Sequence, residues 1–77
     1  MPHVNIKHFP RDLTPEARQT LVEGLVDLVT QTFDVGETTV SIALEPVTPE
    51  TWRDRVVLPE LHDRAGLLVR RPGYDFA

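Results

Sequence analysis

Met1-Pro2-His3-Val4-Asn5-Ile6-Lys7-His8-Phe9-Pro10-Arg11 opens the chain. Residues 3–9 alternate. Val4 and Ile6 point one way and His3, Asn5 and Lys7 the other, which predicts a half-buried strand. Pro10 ends it, and Arg11, Asp12 and Leu13 make a short connection. Pro2 stands directly behind Met1 and is small enough for Met1 to be removed in the cell. Removal leaves a secondary amine at the head of a strand. An α-amine titrates at roughly 7.7–8.0, far closer to neutrality than a lysine. Apolar walls and a nearby cation both lower it further, since both disfavour the protonated form. A base works best with a pKa near the operating pH. With Met1 attached, the Pro2 nitrogen is an amide and has no basic character.

Outward from this strand, Thr14-Pro15-Glu16 predicts a helix start. Thr14 caps, Pro15 suits the first helical position and Glu16 complements the positive end of the dipole. Leu21, Leu25, Leu28 and Val29 recur at helical spacing, flanked by Val22, Val26 and Phe33. So broad an apolar face lies flat on another layer. Gly24 inside it is either a point of close approach to the sheet or a tolerated cost. Asp34-Val35-Gly36-Glu37 closes the helix, with Gly36 suited to a left-handed cap. Residues 38–45 predict a second strand, with Val40, Ile42 and Leu44 on one face and Thr39, Ser41 and Ala43 on the other. Strand, helix and strand form a βαβ unit, so the strands are expected to be parallel with a right-handed crossover.

Thr48 and Pro49 predict a second helix start, on a segment that carries Trp52, Val56 and Val57. Pro59 predicts a break or kink near Leu58. Beyond it a further helix is expected to carry Leu61, Ala65, Leu67 and Leu68 to Arg70 and Arg71, where the two arginines complement its C-terminus. Pro72-Gly73 stops it, and Tyr74, Asp75, Phe76 and Ala77 form a tail. The fold class is α+β: β-α-β with a parallel two-stranded sheet and extra C-terminal helical segments.

Size and charge narrow the function. The 77 residues make one domain, spanning 1–77. A domain this small buries only about 60% of its unfolded surface and often relies on disulfides, metals or oligomerisation. The chain has no cysteine, and His3, His8 and His62 lack a metal-ligand spacing. Neither a metal nor a cofactor is expected. Two strands with helices on one face leave the other bare, and a two-stranded sheet is marginal alone. Self-association as a symmetric dimer is therefore expected, with Tyr74 and Phe76 available to dock on a partner. Eight basic against twelve acidic residues give a net charge of −4, which argues against nucleic acid. No apolar run approaches the ~20 residues that span a bilayer, and no signal peptide opens the chain. A cytoplasmic protein is expected.

The opening Met-Pro-x-Val-x-Ile-Lys, the β-α-β arrangement, the strand Val40-Ser41-Ile42-Ala43-Leu44-Glu45 and Trp52 together resemble the 4-oxalocrotonate tautomerase family. Within it the short PptA-type tautomerases are most similar. They share the Met-Pro-His-x-x-Ile-Lys-x-Phe-Pro-Arg opening, the Ser-Ile-Ala-Leu strand and an ending like Arg70-Arg71-Pro72-Gly73-Tyr74. The resemblance covers essentially the whole chain. It implies an isomerase that interconverts keto and enol forms of a 2-oxo acid without a cofactor, with Pro2 as the amino-terminal general base. It places Arg11 near the family arginine that binds substrate carboxylate, although this loop is one residue shorter. It places Trp52 where an aromatic lines the site. The second arginine of the hexameric members falls at Ser41, which leaves one arginine for the substrate and hydrogen bonding from Ser41. A monocarboxylate enol such as phenylenolpyruvate is thereby favoured over a dicarboxylate such as 2-hydroxymuconate. PptA-type members imply a homodimer, with a hexamer as the alternative. The same scaffold also fits dehalogenation or decarboxylation, or a non-catalytic oligomeric binding protein.

Overall fold

The structure is a computed structural model and describes residues 1–76. The Ala77 end of the expected tail lies outside the described residues. The elements in order are strand β1 (His3–His8), helix α1 (Pro15–Phe33), strand β2 (Ser41–Pro46) and a π-helix (Arg53–His62). Short 3-10 turns lie at Glu37–Thr39, Pro49–Thr51 and Ala65–Leu67. β1 and β2 pair in parallel, from His3 opposite Ser41 to His8 opposite Pro46. This is the expected α+β, β-α-β architecture.

Helix α1 begins as its sequence dictates. The Thr14 hydroxyl accepts the Ala17 N–H at 3.0 Å, and Pro15 takes the first turn. Its far end differs from expectation. The left-handed residue is Asp34 (φ 53°, ψ 56°), whose N–H donates to the Thr30 carbonyl. Asp reaches this region because its short polar side chain bonds locally. Gly36 is extended, at φ −75°, and starts the turn Glu37–Thr39. That turn delays β2 to Ser41, three residues after the expected start.

The alternating faces of the sheet are covered differently. Val4, Ile6 and Leu44 face hollows shared with Leu21, Val29 and Phe33 of α1. His3, Asn5 and Lys7 face the other way, toward Val56, Glu60 and Arg64. The second face is therefore not bare, as expected from the sequence, but carries the π-helix. Lys7 Nζ bridges to it, 3.6 Å from Glu45 and 3.7 Å from Glu60.

The π-helix replaces the expected break at Leu58. Proline has no N–H and its ring clashes with the carbonyl of the preceding turn. Winding one residue wider carries the chain through Pro59, and the Asp63 N–H closes onto the Leu58 carbonyl at 3.0 Å. The further helix is correspondingly reduced to the turn Ala65–Leu67. Arg70 and Arg71 complement no helix end; the Arg71 guanidinium instead lies 4.8 Å over the Phe76 ring.

Val47, Val56 and Val57 are the buried hydrophobic residues among those described, Val47 fully so. No residue of α1 is fully buried, and Leu28 and Phe33 are 65% and 64% exposed. Two strands are too narrow to cover the whole apolar face of α1. The radius of gyration is 14.2 Å, against about 11.5 Å for a compact chain of this length.

Gly24 meets no atom of the chain where a Cβ would sit, so close approach to the sheet does not explain it. Gly24→Ala is expected to raise the unfolding free energy by about 1 kcal/mol, the helix-propensity difference. Urea denaturation measures it; a destabilised variant would show that another surface meets this position.

Candidate active site

Pro2 is held where its carbonyl accepts the Ser41 N–H at 3.2 Å, extending the ladder beyond His3. It is half-buried at a cavity of about 440 Å³ walled by Val4, Val29, Phe33 and Val35. The walls are apolar because the even residues of β1 and the inner stripe of α1 converge there. Ser41 lies beside Pro2, as the register requires. Its hydroxyl is 2.6 Å from His3 Nδ1. The alternation of β1 did not single out His3, since only the register reveals that it stands opposite Ser41.

Arg11 and Trp52 are elsewhere. β1 runs six residues between Pro2 and the turn, roughly 20 Å of extended chain. Arg11 lies past its far end and lines a separate hollow of about 240 Å³ with Phe9, Leu13 and Leu21. Trp52 packs edge-on against Phe9, ring centroids 5.0 Å apart. Its indole N–H donates to the Tyr74 hydroxyl at 3.2 Å. Phe9, Trp52 and Tyr74 form an aromatic hollow of about 520 Å³. Tyr74 is thus engaged within its own chain, as is Phe76 through Arg71. Within one chain, then, Pro2 and Ser41 meet at one end of the sheet, and Arg11 and Trp52 sit at the other.

Charge gathers on the π-helix side. Glu45 accepts from the Asn5 amide at 3.2 Å and pairs with Arg55 and Lys7. The Asn5 hydrogen bond holds its carboxyl below the usual range, against partial desolvation, with Lys7 and Arg55 adding to the effect. Glu60 pairs with Arg64 at 2.9 Å as well as with Lys7. Lys7 has a side chain only 21% exposed. Among the described residues no group of His, Asp and Glu is placed to hold a metal ion. No described helix is long and apolar enough to cross a membrane.

Pro2 thus stands at the head of β1 beside Ser41 and an apolar cavity. The family model "Tautomerase enzyme" matches residues 2–59. The chain belongs to the tautomerase family. It is an isomerase. Tautomerase PptA of Cronobacter sakazakii is 37% identical over 75 residues, covering 97% of this chain and 99% of that one. Tautomerase PptA of Pectobacterium carotovorum is 32% identical over 76 residues, 99% and 100% of the two chains. That of Escherichia coli is 31% identical over 78 residues, 97% and 99%. The similarity to these tautomerases runs through the π-helix and the aromatic tail as well as the β-α-β unit.

Proposed function

We propose that this tautomerase ketonises the enol of a 2-oxo monocarboxylic acid, phenylenolpyruvate being the favoured type, with the Pro2 amine as general base. The observation that carries the reading is Pro2 itself, half-buried at an apolar cavity at the head of β1. Once Met1 is removed, the ring nitrogen takes the proton of the enol hydroxyl. A proton is delivered to C3, and the product is the 2-oxo acid with no net change in composition. Positioning and a tuned base suffice for such a transfer, so no cofactor enters. Ser41, in place of a second arginine, disfavours a dicarboxylate.

The active form is a homodimer in the cytoplasm. Both strands of a two-stranded sheet are edges, and the exposed Leu28 and Phe33 need cover. Strands related by a two-fold axis across a sheet edge run antiparallel. The far end of the second copy then meets the Pro2 end of the first. Arg11 and Trp52 of one protomer thereby serve Pro2 of its partner, across the separation that isolates them within one chain. Arg11 offers a planar fork for the substrate carboxylate.

Loss of absorbance on ketonisation of phenylenolpyruvate and of 2-hydroxymuconate tests the proposal. The first is expected to be the better substrate by kcat/KM. No rate above background with either, from protein whose mass shows Met1 absent, would sink it. Arg11→Ala is expected to raise KM for phenylenolpyruvate about tenfold or more with a smaller effect on kcat, the loss of one charge-assisted contact. An unchanged KM removes Arg11 from the site.

A further inference from the structure

A second cavity adjoins the Pro2 end of the sheet. It measures about 420 Å³ and lies between β1 and the π-helix, lined by His3, Asn5, Lys7, Val56, Glu60 and Arg64. His3 belongs to both this cavity and the apolar one at Pro2. It is the residue next to the amine and the only one shared between the two. Lys7 and Arg64 line it with Glu60, and Glu45 stands 3.6 Å from Lys7, so its charges nearly balance. Lys7 reaches its two carboxylates only at 3.6 and 3.7 Å, longer than the 2.7–2.9 Å of a tight charge-assisted bond. The cavity is of the size of small-molecule sites and its lining is polar enough to meet a ligand's oxygens.

His3 is fixed within it. Its Nδ1 lies 2.6 Å from Ser41 Oγ, and Ser41 is itself anchored by donating its N–H to Pro2. No described protein group pairs with Nε2. When the Ser41 hydroxyl donates to Nδ1, the ring proton sits on Nε2 and makes that atom a donor.

We propose that His3, oriented by Ser41, donates from Nε2 to an oxygen of the bound 2-oxo acid and is the specificity-determining contact beside Pro2. The ligand's oxygen lies at His3, which lines both cavities, and its apolar part in the hollow at Val29 and Phe33. The imidazole offers a single donor for the 2-oxo oxygen and leaves the one substrate carboxylate to Arg11. Ser41 is a positioning residue: it sets the tautomer and the ring angle rather than touching the ligand. The assignment rests on the proposed 2-oxo acid chemistry, but binding can be read without turnover.

The test is titration calorimetry of the whole protein with phenylpyruvate, the stable keto form. Wild type, His3→Leu and His3→Gln are compared, with ¹⁵N spectra of the His3 ring in the wild type. A hydrogen bond to a charged group is worth a tenfold or larger factor in Kd. His3→Leu is expected to weaken binding by at least that much. His3→Gln, whose amide N–H reaches close to the place of Nε2, restores most of it, an outcome a structural role would not give. Saturation moves the Nε2 resonance, and Ser41→Ala weakens binding less than His3→Leu does. Equal Kd for wild type and His3→Leu, or no measurable binding to the wild type, overturns the assignment. The His3 contact is read from Kd and the Pro2 base from rate, so failure of one is distinguishable from failure of the other.

Discussion

Pro2→Ala lowers kcat/KM for phenylenolpyruvate ketonisation by roughly 10²-fold or more, at the lower end of what a positioned general base contributes. The ring does two jobs that alanine cannot. It supplies a secondary amine, and it lines the apolar cavity with Val4, Val29 and Phe33, holding the nitrogen in one orientation. Alanine leaves a primary amine free to rotate, so both the base and its position suffer. Protein that retains Met1 falls further, by roughly 10³–10⁴-fold, because its Pro2 nitrogen is an amide. Initial rates by ultraviolet absorbance, with intact mass to establish the terminus of each sample, measure both. Equal rates for wild type and Pro2→Ala would remove Pro2 from the chemistry while leaving the fold untouched.

Val47→Asp is the change with the largest expected effect on stability. Val47 is 1% exposed and its N–H is fixed to the His8 carbonyl at 2.8 Å, so it cannot swing outward without breaking the continuation of the ladder. An unpaired buried carboxylate costs several kcal/mol. The whole domain has about 4–12 kcal/mol to lose. Val47→Asp is expected to be unfolded at neutral pH by far-ultraviolet circular dichroism. Val47→Ala removes two methyl groups and is expected to stay folded, less stable by about 2 kcal/mol in urea. A native spectrum for Val47→Asp would mean that this position is not the centre of the core.

β1, α1 and β2 were legible in the sequence because their signals are local. Alternation over residues 3–8, the Thr14-Pro15 cap and the Leu21-Leu25-Leu28 spacing each act within a few residues. The parallel pairing followed from the order of elements. Where competing local solutions exist, the sequence misled. Asp34 and Gly36 can both end a helix, and the one in phase with the Thr30 carbonyl took the left-handed position. Pro59 forbids an ordinary α-helical turn but not a wider one, and packing of Val56 and Val57 favours keeping the helix. The tail was harder still. Trp52 and Tyr74 are 22 residues apart and meet only because the chain folds back.

The site divides along the same line. Pro2 and Ser41 are neighbours through a register fixed by the βαβ unit. Arg11 and Trp52 follow from likeness to the family, which carries roles but not distances. Six residues of β1 put them out of reach of Pro2 in the same protomer, which is why the proposed site draws on an antiparallel second copy. A histidine on an outward strand position reads as a surface or interface group until its partner across the sheet, here Ser41, is known.

The most direct measurement of the central claim is a ¹⁵N titration of the Pro2 amine in Met1-free protein. The apolar walls of the cavity disfavour the cation. The amine is therefore expected to titrate below the 7.7–8.0 of an ordinary α-amine, and the rise of kcat/KM with pH is expected to follow the same curve. A Pro2 nitrogen that titrates at or above 8, or does not titrate at all, would contradict a tuned amino-terminal base.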